Sequence, residues 1–579
     1  MHNSNVLVLG MVVFTFFPFE RIYGAHYYVD PVNGSDTNPG NMSAPWQTIQ
    51  RSVKSPYPFV YREPGDTVYL RGGTYRGSSN YLALGAGNSG TSNAPITVAA
   101  YPGEKPIVCD SVKQAAVDLR YRSWWIFDGL TFSNNYRHCW LVEITNCTFR
   151  NCTFERCNTN SDWQYAGVCL ANDGSGSDGC MYNVFSNNLF HAWGGLTSDC
   201  NDAGVSLSLS SYSTANYPHW YNLVVSNTFI GGAHDHLQLE AGYNVIRGNR
   251  FVNAPWIPTN ATCNTLIMYT VPRTYEPNPY GAYGNRHTKP GDGDAGEAWD
   301  AQFDMRNVFE GNQFLYTGPP PDDNGAYGIE LGTSRSIYRQ NVIAFSLAAG
   351  IFFNTSGYYS RSTSNTVYAN TIYANGLSHL YGGQGMKWVS AGIDTSNYQT
   401  DPRRTNNFVV NNIVWRNYPT NLTTLTQSAQ RCRNNHVNDS IDPQFISTNG
   451  FGWHYDPGNL PDFRLRSTSP CINAGTWLAY TTSAGSGTTL PVDNALYFSD
   501  GNHIVPGDMI QLQDQAVTST VVSNDWQNNT LYLSAPLTWT NGQGITLTYH
   551  GSAPDQGAFE CELGTVPSVP GDLRTVTSP

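Results

Sequence analysis

Four acidic residues bear on the chemistry this chain could do: Glu240, Asp300, Asp304 and Glu330. Two of them sit in Trp299-Asp-Ala-Gln-Phe-Asp304, where alternate residues of an extended strand share one side. Residues two apart on a strand lie about 6.6–7 Å apart, and strands stacked side by side about 4.8 Å apart. Hydrolysis of a glycosidic bond by a carboxyl pair requires a separation of about 5–9.5 Å. Close acids also drive their pKa values apart, which leaves one protonated as a general acid. The same oxygens suit a hard cation, and Glu240, Asp300 and Asp304 could ligate Ca2+. A third reading is a solvated acidic face with no task. His234-Asp-His236 stands beside Glu240. A His–Asp pair can shuttle a proton or orient a hydroxyl, and two histidines on one side could also hold a metal.

Basic and aromatic groups lie nearby in sequence. Lysine is scarce, occurring only at positions 54, 105, 113, 289 and 387. Lys289, with Arg286 and His287, or alternatively Lys387, could supply a base or pair with an acidic substrate. Gln238, Tyr269 and Trp299 are candidates for binding a sugar, the rings by stacking and the amide by hydrogen bonding.

These residues need a scaffold, and the repeats describe one. An Asn followed two places later by a large apolar residue recurs as Asn188-Leu-Phe, Asn227-Thr-Phe, Asn249-Arg-Phe, Asn312-Gln-Phe, Asn341-Val-Ile, Asn370-Thr-Ile and Asn412-Ile-Val. Asn146-Cys-Thr-Phe and Asn151-Cys-Thr-Phe are looser relatives. The intervals are 39, 22, 63, 29, 29 and 42 residues, as expected of a solenoid with a constant turn and variable loops. An Asn stacked on its equivalents can bond its amide above and below, which satisfies a buried polar group without a charge. A second repeat reads Ala166-Gly-Val-Cys-Leu, Ala203-Gly-Val-Ser-Leu, Asp235-His-Leu-Gln-Leu, Tyr327-Gly-Ile-Glu-Leu and Ala349-Gly-Ile-Phe-Phe. It aligns Val168, Val205, Leu237, Ile329 and Ile351 as inward residues. Alternation then turns His236, Gln238, Glu240 and Glu330 outward on neighbouring coils. The fold class is all-β: a parallel β-helix, with a small antiparallel β module near the C-terminus.

Composition supports this class. Only 13% of the 579 residues are charged, against about 25% in an average soluble protein. The formal net charge of −12 argues against general affinity for nucleic acid or anionic membrane. Val6 to Phe17 is a mostly apolar run, too short to span a bilayer comfortably. It is expected to be a signal peptide, residues 1–25, with export and no membrane attachment after cleavage. The twelve cysteines form either disulfides or buried thiols stacked on neighbouring coils.

The segments Tyr27-Tyr-Val-Asp-Pro-Val-Asn-Gly-Ser-Asp36 and Pro64-Gly-Asp-Thr-Val-Tyr-Leu-Arg-Gly-Gly-Thr-Tyr75 open the chain. Asp442-Pro-Gln-Phe445, Ser469-Pro-Cys-Ile-Asn-Ala-Gly475 and Pro554-Asp-Gln-Gly-Ala-Phe-Glu560 close it. In these motifs the chain resembles the pectate-lyase-like superfamily of secreted right-handed parallel β-helix proteins, over residues 26–561. The resemblance implies the fold and leaves the activity open, since the fold hosts lyases, hydrolases, epimerases and inert adhesins.

The expected layout follows. Residues 26–110 form a cap and the first coils, and 111–490 the β-helix, with a long insertion at about 255–304. Residues 491–550 form the β module, 551–562 the closing segment and 563–579 a flexible tail. The expected function is cleavage of glycosidic bonds in a polysaccharide, with an acid-pair glycoside hydrolase favoured. One alternative is a calcium-dependent lyase of a uronate-containing glycan, with Lys289 or Lys387 as base. The other is a non-catalytic glycan-binding or structural β-helix. The expected partner is a polysaccharide, and Ca2+ is the only cofactor weighed.

Overall fold

The computed structural model describes residues 24–53, 62–84, 88–111, 115–157, 167–171, 179–193, 206–209, 219–231, 236–239, 242–252, 305–317, 327–332, 334–353, 362–381, 390–394, 406–423, 431–452 and 456–561. Residues 1–23, most of the segment expected to be a signal peptide, and the tail from 562 lie outside them.

Short strands of alternating apolar residues stack coil on coil into a right-handed parallel β-helix. Among the described residues the first sheet has 13 strands, running from His26–Val29 to Cys432–Arg433. The second has 11, from Gly73–Arg76 to Ile413–Trp415. The third appears as two pieces. Six strands run from Leu82–Leu84 to Leu237–Leu239, and three from Ile329–Leu331 to Ile393–Asp394. All pairings within these sheets are parallel, so each residue type can stack on its equivalent one coil away. The helix Ile49–Val53 places Ile49 and Val53 in the core beside Val29, at the N-terminal coils.

The asparagine ladder runs as the spacing predicts. Nδ2 of Asn188 donates to Oδ1 of Asn227, and the chain continues through Asn249, Asn312, Asn341, Asn370 and Asn412 to Asn435, at 2.8–3.0 Å. Each Oδ1 also accepts the backbone N–H of the Asn before it in the ladder. A second ladder, not foreseen, runs through Asn183, Asn222, Asn244 and Asn307, passes Ser336, and resumes at Asn365 and Asn407. It precedes the first by five residues on every coil, so the first-sheet strands from Val184–Ser186 to Phe408–Val410 are flanked by an amide at both ends, except where Ser336 stands before Ile337–Arg339. Cys147 and Cys152 occupy the ladder positions one coil earlier, where their backbone N–H groups donate to Asn183 and Asn188. That explains the two looser motifs, in which the Asn lies one place ahead of the ladder with a positive φ. The aromatic partner of the motif forms a core stack, Phe132, Phe154, Phe190, Phe229, Phe251 and Phe314, with centroids 4.4–5.3 Å apart.

Two expectations need correction. Val168 registers with Leu207, and Leu207 with Leu237, so the repeat containing Ala203 was placed two residues early. A slip of one residue would reverse inside and outside, but a slip of two preserves both, and alternation alone cannot detect it. Of the two cysteine readings the disulfide one falls: none of the ten described cysteines forms a disulfide, and eight of them are buried. Burial pushes the thiols of Cys147, Cys152, Cys169 and Cys180 up to about 12, so they serve as small neutral core groups.

A six-stranded antiparallel sheet stands near the C-terminus. Its order is Ala479–Tyr480, Gly544–Leu547, Met509–Leu512, Thr518–Asp525, Thr530–Trp539 and Gly485–Pro491. It begins before the expected boundary at 491, because Gly485–Pro491 joins by backbone pairing with little apolar alternation to mark it. The module packs on the outer face of the first sheet, covering Val245, Val308, Ile337, Tyr368 and Val410 with Leu478, Leu490, Ile510, Leu531 and Trp539. At the junction the buried guanidinium of Arg339 meets both carboxylate oxygens of Asp508 from the module. It also donates to Glu310 at 2.7 Å and to the Tyr368 hydroxyl at 2.8 Å. Burial opposes charge on Glu310, but Arg339 and Arg247 outweigh it and hold the carboxyl below its usual range. Phe445, Phe463 and Cys471, with Ala558 of the closing segment, cover the second sheet over Tyr373 and Trp415. There burial, reinforced by the Asp555 carboxylate, pushes Glu560 up to about 8.

Candidate functional site

The third sheet carries the expected site, and its outward column can be read from the register. Asp118, Trp140, Cys169, Ser208 and Gln238 follow one another on its longer piece, then Glu330, Phe352 and Asp394 on its shorter one. Each step is about 4.8 Å. The inward neighbours Val117, Leu119, Leu141, Leu237, Leu239, Ile329 and Ile351 all lie in the core. Between the two pieces, residues 253–304 connect the second-sheet strand Arg250–Val252 to the first-sheet strand Val308–Glu310. Among the described residues the third sheet is followed to Leu237–Leu239 and again from Ile329–Leu331, and the coil between these strands falls in the residues not described.

Glu330 lies on the strand Ile329–Leu331, on the outward side as expected, yet it is only 5% exposed. The solvated-face reading therefore fails for it. Ser208 and Asp394 are likewise buried outward residues, whereas Asp118 and Arg120 on an early coil are half-exposed and paired with each other. The outward column is thus half-exposed at Asp118 and buried at Ser208, Glu330 and Asp394. Gln238 sits outward and half-buried on the strand Leu237–Leu239.

His236 departs from expectation. Alternation turned it outward, but it is 3% exposed, with its ring 6.1 Å from Phe229 and 6.3 Å from Phe251. Burial pushes its pKa down to about 3, against a hydrogen bond to the Val252 carbonyl, and keeps the ring neutral. It precedes the strand at a corner, where the chain turns from the second sheet to the third, and the strand period does not extend through that corner. His138 occupies the equivalent corner three coils earlier and packs on Phe132 and Phe154. Burial takes its pKa to about 3 as well. A neutral histidine wedged into the aromatic stack is a core residue, so His236 is withdrawn as an accessory acid, base or metal ligand.

The remaining candidates lie outside the described residues: His234, Glu240, Asp300, Asp304, Tyr269, Arg286, His287, Lys289, Trp299 and Lys387. Their sequence positions are nonetheless informative. His234 and Glu240 flank the strand Leu237–Leu239. Tyr269, Arg286, His287, Lys289, Trp299, Asp300 and Asp304 fall in the segment 253–304. Lys387 lies in the segment leading to Ile393–Asp394. Among the described residues no group of three or more His, Cys, Asp or Glu side chains could hold a metal ion. The Ca2+ ligand set of Glu240, Asp300 and Asp304 is outside them, so no step is assigned to that ion.

Asp394 was missed. It stands two coils from Glu330 in the same outward column, with Phe352 between them, and is 1% exposed. Its signal is present in Ala391-Gly-Ile-Asp394, a further copy of the Gly-Ile motif at Gly328 and Gly350. The glycines are required by close packing. A Cβ at Gly350 would come within 2.7 Å of the Gly392 carbonyl, and one at Gly392 within 2.5 Å of the Asn421 carbonyl.

Comparison with known proteins agrees with this architecture. Residues 27–203 match a family described as the Pel9A-like right-handed β-helix region. Pectate lyase PEL9 of Emericella nidulans is 40% identical over 90 residues, or 16% of this chain. The match spans only 20% of that relative's length. Among solved structures, pectate lyase Pel9A has 14% identity and a TM-score of 0.38, covering 93% of this chain and 96% of its own. A rhamnogalacturonan lyase has 16% identity and a TM-score of 0.40, covering 77% and 97%. Every candidate site residue lies beyond residue 203, outside the family match. Among the described residues no helix is long and apolar enough to cross a membrane.

Proposed function

Starting from a chain that carries a Pel9A-like β-helix region, we propose that it is an exported lyase that cleaves a uronate-containing polysaccharide by β-elimination. The observation that carries this reading is the 40% identity over 90 residues with a protein named as a pectate lyase. The glycoside hydrolase favoured from carboxylate spacing draws no support from the comparisons and gives way to the lyase.

The reaction site in this reading is the outer face of the third sheet, on the coils of Gln238 and Glu330. The substrate carboxylate acidifies the proton on the adjacent ring carbon. A base removes that proton, the bond to the C4 oxygen breaks, and a ring double bond forms as the leaving oxygen takes up a proton. Lys289 and Lys387 are the candidate bases. A lysine works as a base at neutral pH when burial or a neighbouring cation lowers its pKa. Arg286 is placed in sequence to pair with a substrate carboxylate. Glu330 and Asp394, fixed on the sheet, would orient sugar hydroxyls as hydrogen-bond acceptors. Covered surroundings strengthen each of these polar contacts.

The test is incubation with a panel of neutral and uronate polysaccharides, with and without chelator, following ultraviolet absorbance and reducing ends together. A lyase yields both signals on a uronate glycan. Reducing ends without absorbance would return the reading to a hydrolase, and neither signal would leave a binding or structural protein. Lys289→Ala and Lys387→Ala then identify the base: the essential one loses about 100-fold or more in rate.

A further inference from the structure

The first strand of the solenoid is pinned one residue before it begins. The carbonyl of Ala25 accepts the Thr67 N–H at 2.9 Å, which opens the parallel register His26↔Thr67. The N–H of Ala25 donates to Oδ1 of Asp66 at 2.9 Å, and the backbone N–H of Glu63 donates to Oδ2 at 3.0 Å. Asp66 is 5% exposed, whereas Ala25 is open to solvent. We propose that proteolytic processing cuts the chain between Gly24 and Ala25, and that the α-ammonium so freed stays on Asp66 as a charge-assisted anchor for the first strand. This sets the processed end one residue earlier than the expected leader 1–25. The proposal goes beyond the lyase reading and does not depend on it.

The step is hydrolysis of one peptide bond by an export-associated endopeptidase. Water supplies the hydroxyl that completes the Gly24 carboxyl group, and the Ala25 nitrogen leaves as an amine and takes up a proton. Leader peptidases read the side chains one and three residues before the bond, taking a small one at the first place and a small or aliphatic one at the second. A cut after Gly24 presents Gly24 and Ile22, whereas a cut after Ala25 presents Ala25 and the ring of Tyr23. The fold selects the same bond. A cut after Ala25 would remove the acceptor of the Thr67 N–H and one donor to a buried carboxylate, and orphaned groups of this kind are costly. A cut after Gly24 keeps both bonds and turns an amide donor into an ammonium donor. Glycine at position 24 also suits the uncut chain, where a Cβ would collide with the Gly65 carbonyl. Four charged or titratable groups surround the amine. Asp66 is bonded to it directly. The buried Arg62 lies on the other oxygen, with Nη1 3.9 Å from Oδ2. Glu63 is exposed, and its Oε1 accepts from Asn88. His26 follows on the strand, with its ring against Tyr69. The exposed ammonium keeps water on its remaining N–H groups and so avoids the desolvation cost of a buried cation. Its bond to Asp66 is about twice as strong as the neutral one it replaces.

The experiment starts from the full chain with its own leader, secreted by an exporting host. Intact mass and N-terminal sequencing should give a single start at Ala25. A start at His26 or beyond, or an uncut chain, would overturn the proposal. The secreted protein is then methylated on its amines with a carbon-13 label and titrated by NMR. The α-amine should titrate about one unit above its ordinary range of about 7.7–8.0, because the Asp66 carboxylate favours the charged form. Asp66→Asn should return it to that range. A chain made to begin at Gly24 keeps every side chain and moves the amine off Asp66, and it should also titrate in the ordinary range. If D66N does not fold, the chain beginning at Gly24 decides the matter by the same criterion. An α-amine in the ordinary range with Asp66 present, or one equally raised in folded D66N or in the longer chain, would overturn the anchor. Activity on glycans has no bearing on these readouts, so the catalytic reading and this one can fail separately.

Discussion

The outer faces of the first and third sheets come from the same coils and differ in what covers them. On the first sheet, Val245, Val308, Ile337 and Val410 meet the apolar side of the module, and Arg339 is saturated by Asp508, Glu310 and Tyr368. On the third sheet, Ser208, Glu330 and Asp394 are buried on the outward side. The first arrangement satisfies Arg339 within the junction, as a docked domain requires. The second holds polar groups on a rigid sheet, on the face to which the proposed function assigns the substrate. Burial by itself therefore does not separate structure from function in this solenoid; the chemistry of the buried group does.

The comparison can be broken most directly at the junction. Asp508→Ala leaves Arg339 buried with only Glu310 for charge compensation, and should cost about 3–5 kcal/mol in urea unfolding. A cost below about 1 kcal/mol would mean that the apolar contacts alone hold the module. On the other face, Glu330→Gln preserves shape and removes a charge. We expect activity on a uronate glycan to fall about 100-fold, equivalent to about 2.7 kcal/mol, with the thermal midpoint little changed. A large stability loss with intact specific activity would move Glu330 to the structural side.

Two pH experiments sharpen the contrast. His138 and His236 have folded pKa values pushed down to about 3, below the ordinary 6.5, so they are bound neutral. Their contribution is present above 6.5 and is lost progressively as pH falls towards 3. At pH 5 each should have lost about 2 kcal/mol, and His236→Phe should flatten the acid slope measured by denaturation. Glu560 behaves in the opposite sense. Its folded pKa of about 8 lies above the ordinary 4.5, so its contribution is complete below 4.5 and lost as pH rises through 8. Between pH 7 and 8 stability should fall by about 1 kcal/mol, and Glu560→Gln should abolish that fall. A flat alkaline limb in the parent protein would show that burial and Asp555 do not hold Glu560 protonated at the closing segment.

Legibility followed periodicity. The Asn188 to Asn412 ladder was readable because an amide that must bond its equivalent recurs in every coil. The Asn183 to Asn407 ladder was equally readable as a companion five residues ahead, but Ser336 interrupts it. Asp394 was legible in its Gly-Ile motif. His236 was misread because strand alternation was extended through a corner, and Val205 because a slip of two residues keeps every side chain on its expected face.

The sequence by itself determined the solenoid and the inward residues of its strands. These are local, repeated constraints, in which each residue's fate depends on its equivalents in the next coil. Tertiary structure alone decided that Arg339 finds Asp508 169 residues away, that Glu330 and Asp394 are covered, and that Arg306 and Arg335 share a cleft with Trp526. Such contacts join elements far apart in the chain without any repeat. Their partners are set by how the module and loops lie on the solenoid, and no periodic pattern records that.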